Sequence, residues 1–324
     1  MDREITFSDA LKEALDSEMK RDASVILIGI DIGPYGGAFK VTEGLFLKYP
    51  NRIFDMPISE AGYTGSAVGA AMTGKRPVVE LQFMDWITIA SDQLVNQAAN
   101  IPYMLGGKVS IPMVLRGPCG GYDNAAAQHS HNFESWFAFI PGLKVICPST
   151  PYDAKGLLIS AIRDNNPVIF FEHRKLYFRK GAVPEEPYTI EIGKADIKRT
   201  GKDLTIVTYA FMVQKSMEAA GILEKEGIDA EVVDLRTVSP LDKDTILKSV
   251  KKTGKLLIVQ EAWARCSVSS EVAAVIAMEG IDYLDSPVKR ITAKEAPIPF
   301  SPVLENYILP QTEDIVNEVK KFFK

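Results

Sequence analysis

The chain has 324 residues, 46% of them hydrophobic and 24% charged, with a formal net charge of −5. That length exceeds one ordinary domain, and the composition is that of a chain able to bury a large core. The modest acidic balance gives no basis for nucleic acid or an anionic membrane as partner. The three cysteines, Cys119, Cys147 and Cys266, are too dispersed for a zinc, iron–sulfur or disulfide framework, which suits a reducing cytoplasm. Met1-Asp2-Arg3-Glu4 is charged where a signal peptide would be apolar, and no apolar run approaches the roughly 18 residues of a membrane span. A cytoplasmic protein is expected.

In chain order, Asp9–Arg21 reads as an amphipathic helix with Ala10, Leu11, Ala14, Leu15 and Met19 on one face and Ser8 as its cap. Val25–Ile30 follows as a wholly apolar strand. Further buried strands are expected at Val78–Leu81, Pro112–Leu115, Leu143–Cys147 and Val168–Glu172, with helices at Gly62–Thr73, Ile87–Leu105 and Tyr152–Arg163. Strands apolar on both faces and alternating with helices predict a mostly parallel, covered sheet. From about Arg174 to Asp203 the chain turns polar and loop-like. The alternation then restarts: strand Leu204–Tyr209, helix Met212–Glu226, strand Ala230–Asp234, helix Lys243–Lys252, strand Leu256–Gln260, helix Val268–Glu279. A strand near Val288–Thr292 and a helix over Glu313–Phe323 end it. The fold class expected is α/β with two doubly wound domains, residues 1–175 and 203–324, joined by a linker over 176–202.

Four stretches could carry chemistry. Within Pro57–Ala71, Glu60 stands where an extended segment meets a helix made almost entirely of Gly, Ala, Ser and Thr. A surface of such small side chains lets another backbone pack closely, and a carboxylate beside it would be desolvated and able to share a proton. The plainer alternative is that Glu60 caps its helix through exposed amides. His129 and His131, two of the three histidines, lie in Ala125–His131, a loop after a predicted buried strand, where parallel sheets place ligands. Histidine suits proton transfer near neutrality. Two histidines two residues apart lack the further ligands a metal would need, and an ordinary loop histidine is the bland alternative. Gln82-Phe83-Met84-Asp85-Trp86 puts an aromatic at a strand end, able to stack on a flat heterocycle or simply to fill core. Ala161–Pro167 ends a helix in exposed carbonyls that could hold a hard cation, though a helix-stop turn is the default.

Taken together, Pro57–Ala71, Glu80–Gln93, Ala126–Ser130, Pro141–Val145, Pro151–Leu157 and, above all, Asp234–Asp242 (Asp-Leu-Arg-Thr-Val-Ser-Pro-Leu-Asp) resemble the beta subunits of pyruvate, acetoin and branched-chain 2-oxo acid dehydrogenases. The resemblance runs from about residue 3 to 322. It implies a thiamin pyrimidine-binding domain followed by a transketolase C-terminal-like domain, with thiamin diphosphate bound between an alpha and a beta subunit. Glu60 takes the place of the glutamate that hydrogen-bonds the pyrimidine ring nitrogen opposite the amino group. A proton shared there favours the imino form that deprotonates the thiazolium. Trp86 falls where the family stacks an aromatic on the pyrimidine, with Gln82 and Tyr63 as weaker members of the same pocket. His129 matches the histidine facing thiazolium and substrate, which assists acyl transfer to lipoamide. His131 departs from the more usual Gln. Met113, Ala161, Ile162, Asp164 and Asn166 correspond to a potassium site made mainly of backbone carbonyls.

No Gly-Asp-Gly motif for the diphosphate occurs, and neither does a P-loop or a GxGxxG fingerprint. The resemblance therefore implies an alpha subunit that holds magnesium and the diphosphate, an α2β2 heterotetramer, and a lipoyl acyltransferase that accepts the acyl group from a 2-oxo acid or acetoin. Two rivals are the second half of a split transketolase or deoxyxylulose-phosphate synthase, and a subunit that kept the fold and lost the chemistry. Ala127-Gln128-His129-Ser130 fits the dehydrogenases better than the former, and retention of Glu60 and His129 argues against the latter. Arg116-Gly117-Pro118 is similar to pyruvate enzymes, Cys147-Pro148-Ser149 to acetoin enzymes and Glu80–Phe83 to branched-chain ones. Pyruvate and acetoin stand level as substrates.

Overall fold

The computed structural model describes residues 3–323, so the charged start at Met1 and Asp2 lies outside the described residues. The chain forms two compact units. One contains the residues up to Cys119 together with Trp136–Ile192; the other contains Gly120–Ser135 and the residues from Gly193 onward.

The first unit opens with a short strand, β1 (Glu4–Thr6), and a helix, α1 (Phe7–Arg21). Thr6, not Ser8, caps α1: its hydroxyl oxygen accepts the Asp9 amide at 3.1 Å and donates to the Asp9 carboxylate at 2.6 Å. The apolar stripe expected on this helix is buried, and Lys20 and Arg21 close its last turn, where the helix dipole favours cations. Strand β2 (Val25–Gly29), helix α2 (Leu45–Lys48), strand β3 (Ile53–Asp55), helix α3 (Glu60–Met72) and strand β4 (Arg76–Glu80) follow.

The long helix expected over Ile87–Leu105 is broken instead. A 3₁₀ turn spans Met84–Thr88, a π-helical turn Gln93–Ala98, and only α4 (Ile101–Met104) is a separate α-helical turn. Two features account for this. The Ala99 amide reaches back to the Leu94 carbonyl at 2.9 Å, a five-residue step, and Pro102 has no amide with which to continue an α-helix. Strand β5 (Val114–Cys119) starts later and runs further than expected. After helix α5 (Glu134–Ala138) come strand β6 (Lys144–Ile146), helix α6 (Pro151–Arg163), strand β7 (Val168–His173) and strand β8 (Lys180–Ala182), which pairs antiparallel with β1. The main sheet is parallel in the order β6-β7-β5-β4-β2-β3.

In the motif Pro151–Leu157, two residues hold the stretch after β8. Buried Lys155 donates to the carbonyls of Pro184 and Glu185 at 2.6 and 2.7 Å. A Cβ on Gly156 would lie 2.6 Å from the Tyr188 ring and 2.7 Å from Ile190, so only glycine lets that segment lie down.

The second unit contains β9 (Asp196–Arg199), β10 (Leu204–Thr208), α7 (Met212–Lys225), β11 (Ala230–Asp234), a short β12 (Thr237–Ser239), α8 (Lys243–Thr253), β13 (Leu256–Trp263), α9 (Val268–Glu279), β14 (Lys289–Ala293), α10 (Pro302–Ile308) and α11 (Thr312–Lys320). Its sheet has the order β14-β13-β10-β11-β9, parallel except for β9 at the edge. The Asp234–Asp242 motif serves this architecture. The Asp234 carboxylate accepts the Arg236 amide at 3.0 Å, the Thr237 hydroxyl accepts that of Gly193 at 3.2 Å, and Asp242 caps α8 while accepting the Ala195 amide at 3.0 Å. Burial alone would push the Asp242 carboxyl up; the amides of Ala195 and Thr245 and the Thr245 hydroxyl outweigh it and hold the carboxyl below its ordinary value. Both units are α/β, as the alternation of apolar strands and helices predicts.

Candidate active site

Glu60 is the first residue of α3 and only 5% exposed. Ser59 before it is extended and makes no side-chain cap. The Glu60 carboxylate accepts no hydrogen bond from any described residue, so it is not a capping group in the hydrogen-bonding sense. One turn on, the Tyr63 and Thr64 hydroxyls are buried on the same helical side without a hydrogen-bond partner among the described residues. Burial raises the Tyr63 phenol well above its ordinary value, and the negative charges of Glu60 and Glu80 push it further. A buried acid and two unsatisfied hydroxyls on one face form a polar patch that the protein's own groups do not complete. These groups fit the acceptor and donor edge of an aminopyrimidine. The opposite face of α3 exposes Gly62, Ser66 and Gly69.

Gln82 and Trp86 follow β4. The Gln82 side-chain amide donates to Asp31 at 3.0 Å. Trp86, half-buried on the 3₁₀ turn, meets Phe83 edge-on at 5.4 Å, and Phe83 in turn meets Phe39 at 5.8 Å. The aromatic at the strand end thus belongs to a small aromatic cluster that fixes its ring.

Beside this lies a group of charges that the sequence reading passed over. Across three neighbouring strands, buried Arg116 of β5 holds Glu172 of β7 through two bonds of 2.5 and 2.6 Å and also pairs with Glu80 at the end of β4. Tyr177 donates to the same Glu172 at 2.7 Å. Burial pushes the Glu80 carboxyl above its ordinary value while the guanidinium pulls against it. The signal was present in the sequence: Glu80, Arg116 and Glu172 each interrupt an otherwise apolar strand, and charges are rarely buried unless paired.

His129 closes a 3₁₀ turn, Ala127–His129, in the second unit. The loop holding it is strained. Tyr122, Asn124 and Ala126 have φ of 67°, 54° and 63°, and Ala126 adds a ψ of −172°, a region left almost wholly to glycine. Such residues cost on the order of 1–3 kcal/mol each and persist only where their surroundings over-determine them. His131 stacks on Phe133 with ring centroids 4.6 Å apart and planes 14° from parallel, a packing role. Thus Glu60, Tyr63, Gln82 and Trp86 lie in the first unit, and His129 lies in the second.

The five residues of the cation reading also have protein partners. The Ile162 and Asp164 carbonyls both accept from the Arg76 guanidinium at 2.9 Å. The Met113 carbonyl accepts the Val168 amide at 2.9 Å and that of Ala161 the Asp164 amide at 3.3 Å. The Asn166 amide and side chain donate to the Asp164 carboxylate, which also pairs with Lys144. Two of these carbonyls, those of Ile162 and Asp164, already face a fixed cation, the Arg76 guanidinium. Among the described residues no group of three or more His, Cys, Asp or Glu stands ready for a metal.

The chain thus has two α/β units, one presenting a buried acid at a helix start and the other a histidine loop. Its relatives identify the class. Residues 3–180 match the model of the transketolase pyrimidine binding domain, and residues 193–315 that of the transketolase C-terminal domain. The chain is 48% identical to the acetoin:2,6-dichlorophenolindophenol oxidoreductase subunit beta of Cupriavidus necator, over all of this chain and 99% of that one. It is 47% identical to the pyruvate dehydrogenase E1 component subunit beta of Bacillus subtilis, over 98% of each. It therefore belongs to the beta-subunit family of the acetoin and pyruvate dehydrogenase components. A solved split-gene transketolase, an inactive beta4 tetramer, has the same fold, with a TM-score of 0.79, 24% identity, and 98% and 97% of the two chains covered.

Proposed function

We propose that the chain is the beta subunit of a thiamin-diphosphate-dependent dehydrogenase component. With an alpha subunit, it would decarboxylate a 2-oxo acid such as pyruvate, or cleave acetoin, and pass the acyl group to the lipoamide of an acyltransferase. The observation that carries this reading is the buried Glu60 carboxylate, which has no donor among the described residues and is flanked by unsatisfied hydroxyls, in a chain of this family. When bound, thiamin diphosphate supplies the carbanion chemistry. Glu60 would share a proton with the pyrimidine ring, in a setting whose low polarity would strengthen that bond. Trp86, whose ring packs on Phe83, would help hold the pyrimidine together with Gln82. His129 would hold or move a proton at the substrate and the incoming lipoyl group.

Magnesium and the diphosphate belong to the alpha subunit in this reading, because the chain has no Gly-Asp-Gly motif. The assembly is then an α2β2 heterotetramer working in the cytoplasm; no described helix is long and apolar enough to cross a membrane. A potassium ion would use the spare lone pairs of the Met113, Ala161, Ile162, Asp164 and Asn166 carbonyls, in competition with the Arg76 guanidinium that those of Ile162 and Asp164 already meet. Thermal unfolding in potassium against sodium buffer tests it, and equal midpoints would dismiss the ion.

The decisive experiment mixes this chain with its alpha partner. Pyruvate, acetoin, branched-chain 2-oxo acids and sugar phosphates are then assayed with lipoamide and with dichlorophenolindophenol as acceptors. Turnover of pyruvate or acetoin only in the mixture is expected. Turnover of sugar phosphates would move the chain to the transketolase reading, and tight magnesium-dependent cofactor binding by this chain alone would overturn the half-site argument.

A further inference from the structure

Two carboxylates that this chemistry does not use hold the histidine loop. Glu261, on β13, accepts the Gly121 amide at 2.6 Å and the Asn132 side-chain amide at 2.9 Å, both through Oε1. One oxygen thereby ties the beginning of the loop to its end. Glu305, on α10, accepts the Asn124 amide at 3.0 Å. Both acids are buried, at 5% and 2% exposure. They close on a single residue: a Cβ at Gly121 would lie 3.5 Å from an oxygen of each and 2.6 Å from Leu309. Between these anchors stand the left-handed residues Tyr122, Asn124 and Ala126. An ordinary surface loop leaves its amides to water and relaxes to favoured dihedrals. Here the amides of Gly121 and Asn124 go to carboxylates and three residues keep left-handed dihedrals, and a charged acceptor on a backbone amide is among the stronger restraints a protein can apply.

We propose that Glu261 and Glu305 are positioning residues for His129, fixing the strained loop so that the imidazole is held in place before substrate arrives. The proposal rests on the role given to His129 above. A positioned group gains its rate from geometry set in advance, and a displacement of about 1 Å can cost on the order of 10²-fold. Neither acid needs to touch substrate. Each acts through the loop backbone.

The test uses the assembled alpha–beta complex carrying Glu305→Ala, Glu305→Gln or Glu261→Gln, alone and with His129→Ala. Amide hydrogen exchange of peptides covering residues 120–135 reads the loop, and steady-state kinetics reads the consequence. Glu305→Ala should speed exchange at these amides by about 10-fold or more and lower kcat by about 10-fold, with substrate KM within about twofold. Glu305→Gln keeps an acceptor oxygen and should recover most of both. In the His129→Ala background, Glu305→Ala should cost almost no further activity. Unchanged loop exchange in a complex that unfolds at the normal temperature would overturn the proposal. So would a kcat loss of equal size with and without His129. Near-normal kcat for His129→Ala alone would instead strike the histidine assignment, while the exchange data would still decide whether the acids hold the loop.

Discussion

Replacing Glu60 by Gln separates the chemistry of this chain from its stability. Gln keeps the size and shape of the side chain but cannot pass a proton to a pyrimidine nitrogen. The stability effect follows from the structure. Glu60 accepts no hydrogen bond from a described residue, so no bond of the usual worth is lost. What remains is a negative charge at a helix N-terminus, about 0.3–1 kcal/mol, opposed by the cost of keeping that charge buried. The variant should therefore unfold within about 1 kcal/mol of the parent and still assemble. Exchange of the thiazolium carbon-bound proton with deuterated solvent should slow by about 10²–10⁴-fold, the range for a lost proton-transfer partner. That corresponds to roughly 2.7–5.5 kcal/mol of barrier. Acid-quenched NMR of the cofactor released from the assembled complex measures the exchange, and chemical denaturation measures stability. If Glu60 were only a cap, stability would fall by about 0.5–2 kcal/mol and exchange would stay normal. Normal exchange in a properly assembled variant would refute the catalytic assignment.

Arg116→Met should destabilise the chain by about 3–5 kcal/mol, because Glu80 and Glu172 would stay buried without their cation; denaturation at pH 8 and pH 5 should show a smaller deficit at the lower pH, where protonation removes the buried charge, and equal deficits would contradict this. Asp242→Ala should cost about 1–2 kcal/mol at neutral pH through loss of the α8 cap and the Ala195 contact. The folded Asp242 carboxyl lies below its ordinary value, so its stabilisation is present above the usual carboxylate range and is lost as pH falls through the depressed folded value; the parent and variant curves should converge in acid, and parallel curves would exclude the linkage. Ala126→Gly should stabilise the chain by about 1 kcal/mol in denaturant, since relieved strain exceeds glycine's entropic cost; destabilisation of that size would show that the backbone there is not strained.

The sequence by itself determined the α/β class, the restart of the alternation after about residue 203, and most strands. An apolar run between turns has few places to go except the middle of a parallel sheet. It also singled out Glu60, because a lone acid at the head of a helix of small residues is legible in one dimension. Element ends were less secure: Thr6 displaced Ser8 as cap, and the stretch from Ile87 to Leu105 broke into 3₁₀, π and α turns because hydrogen-bond register is settled by local packing and by Pro102.

Only the tertiary structure decided which charges meet. Glu80, Arg116 and Glu172 come from three strands up to 92 residues apart, and their pairing exists only once those strands are neighbours. Glu261 and Glu305 lie far along the chain from the loop they grip. No periodicity or motif carries such information. A side chain's partner is fixed by where the backbone returns in space, and burial then makes that partner obligatory.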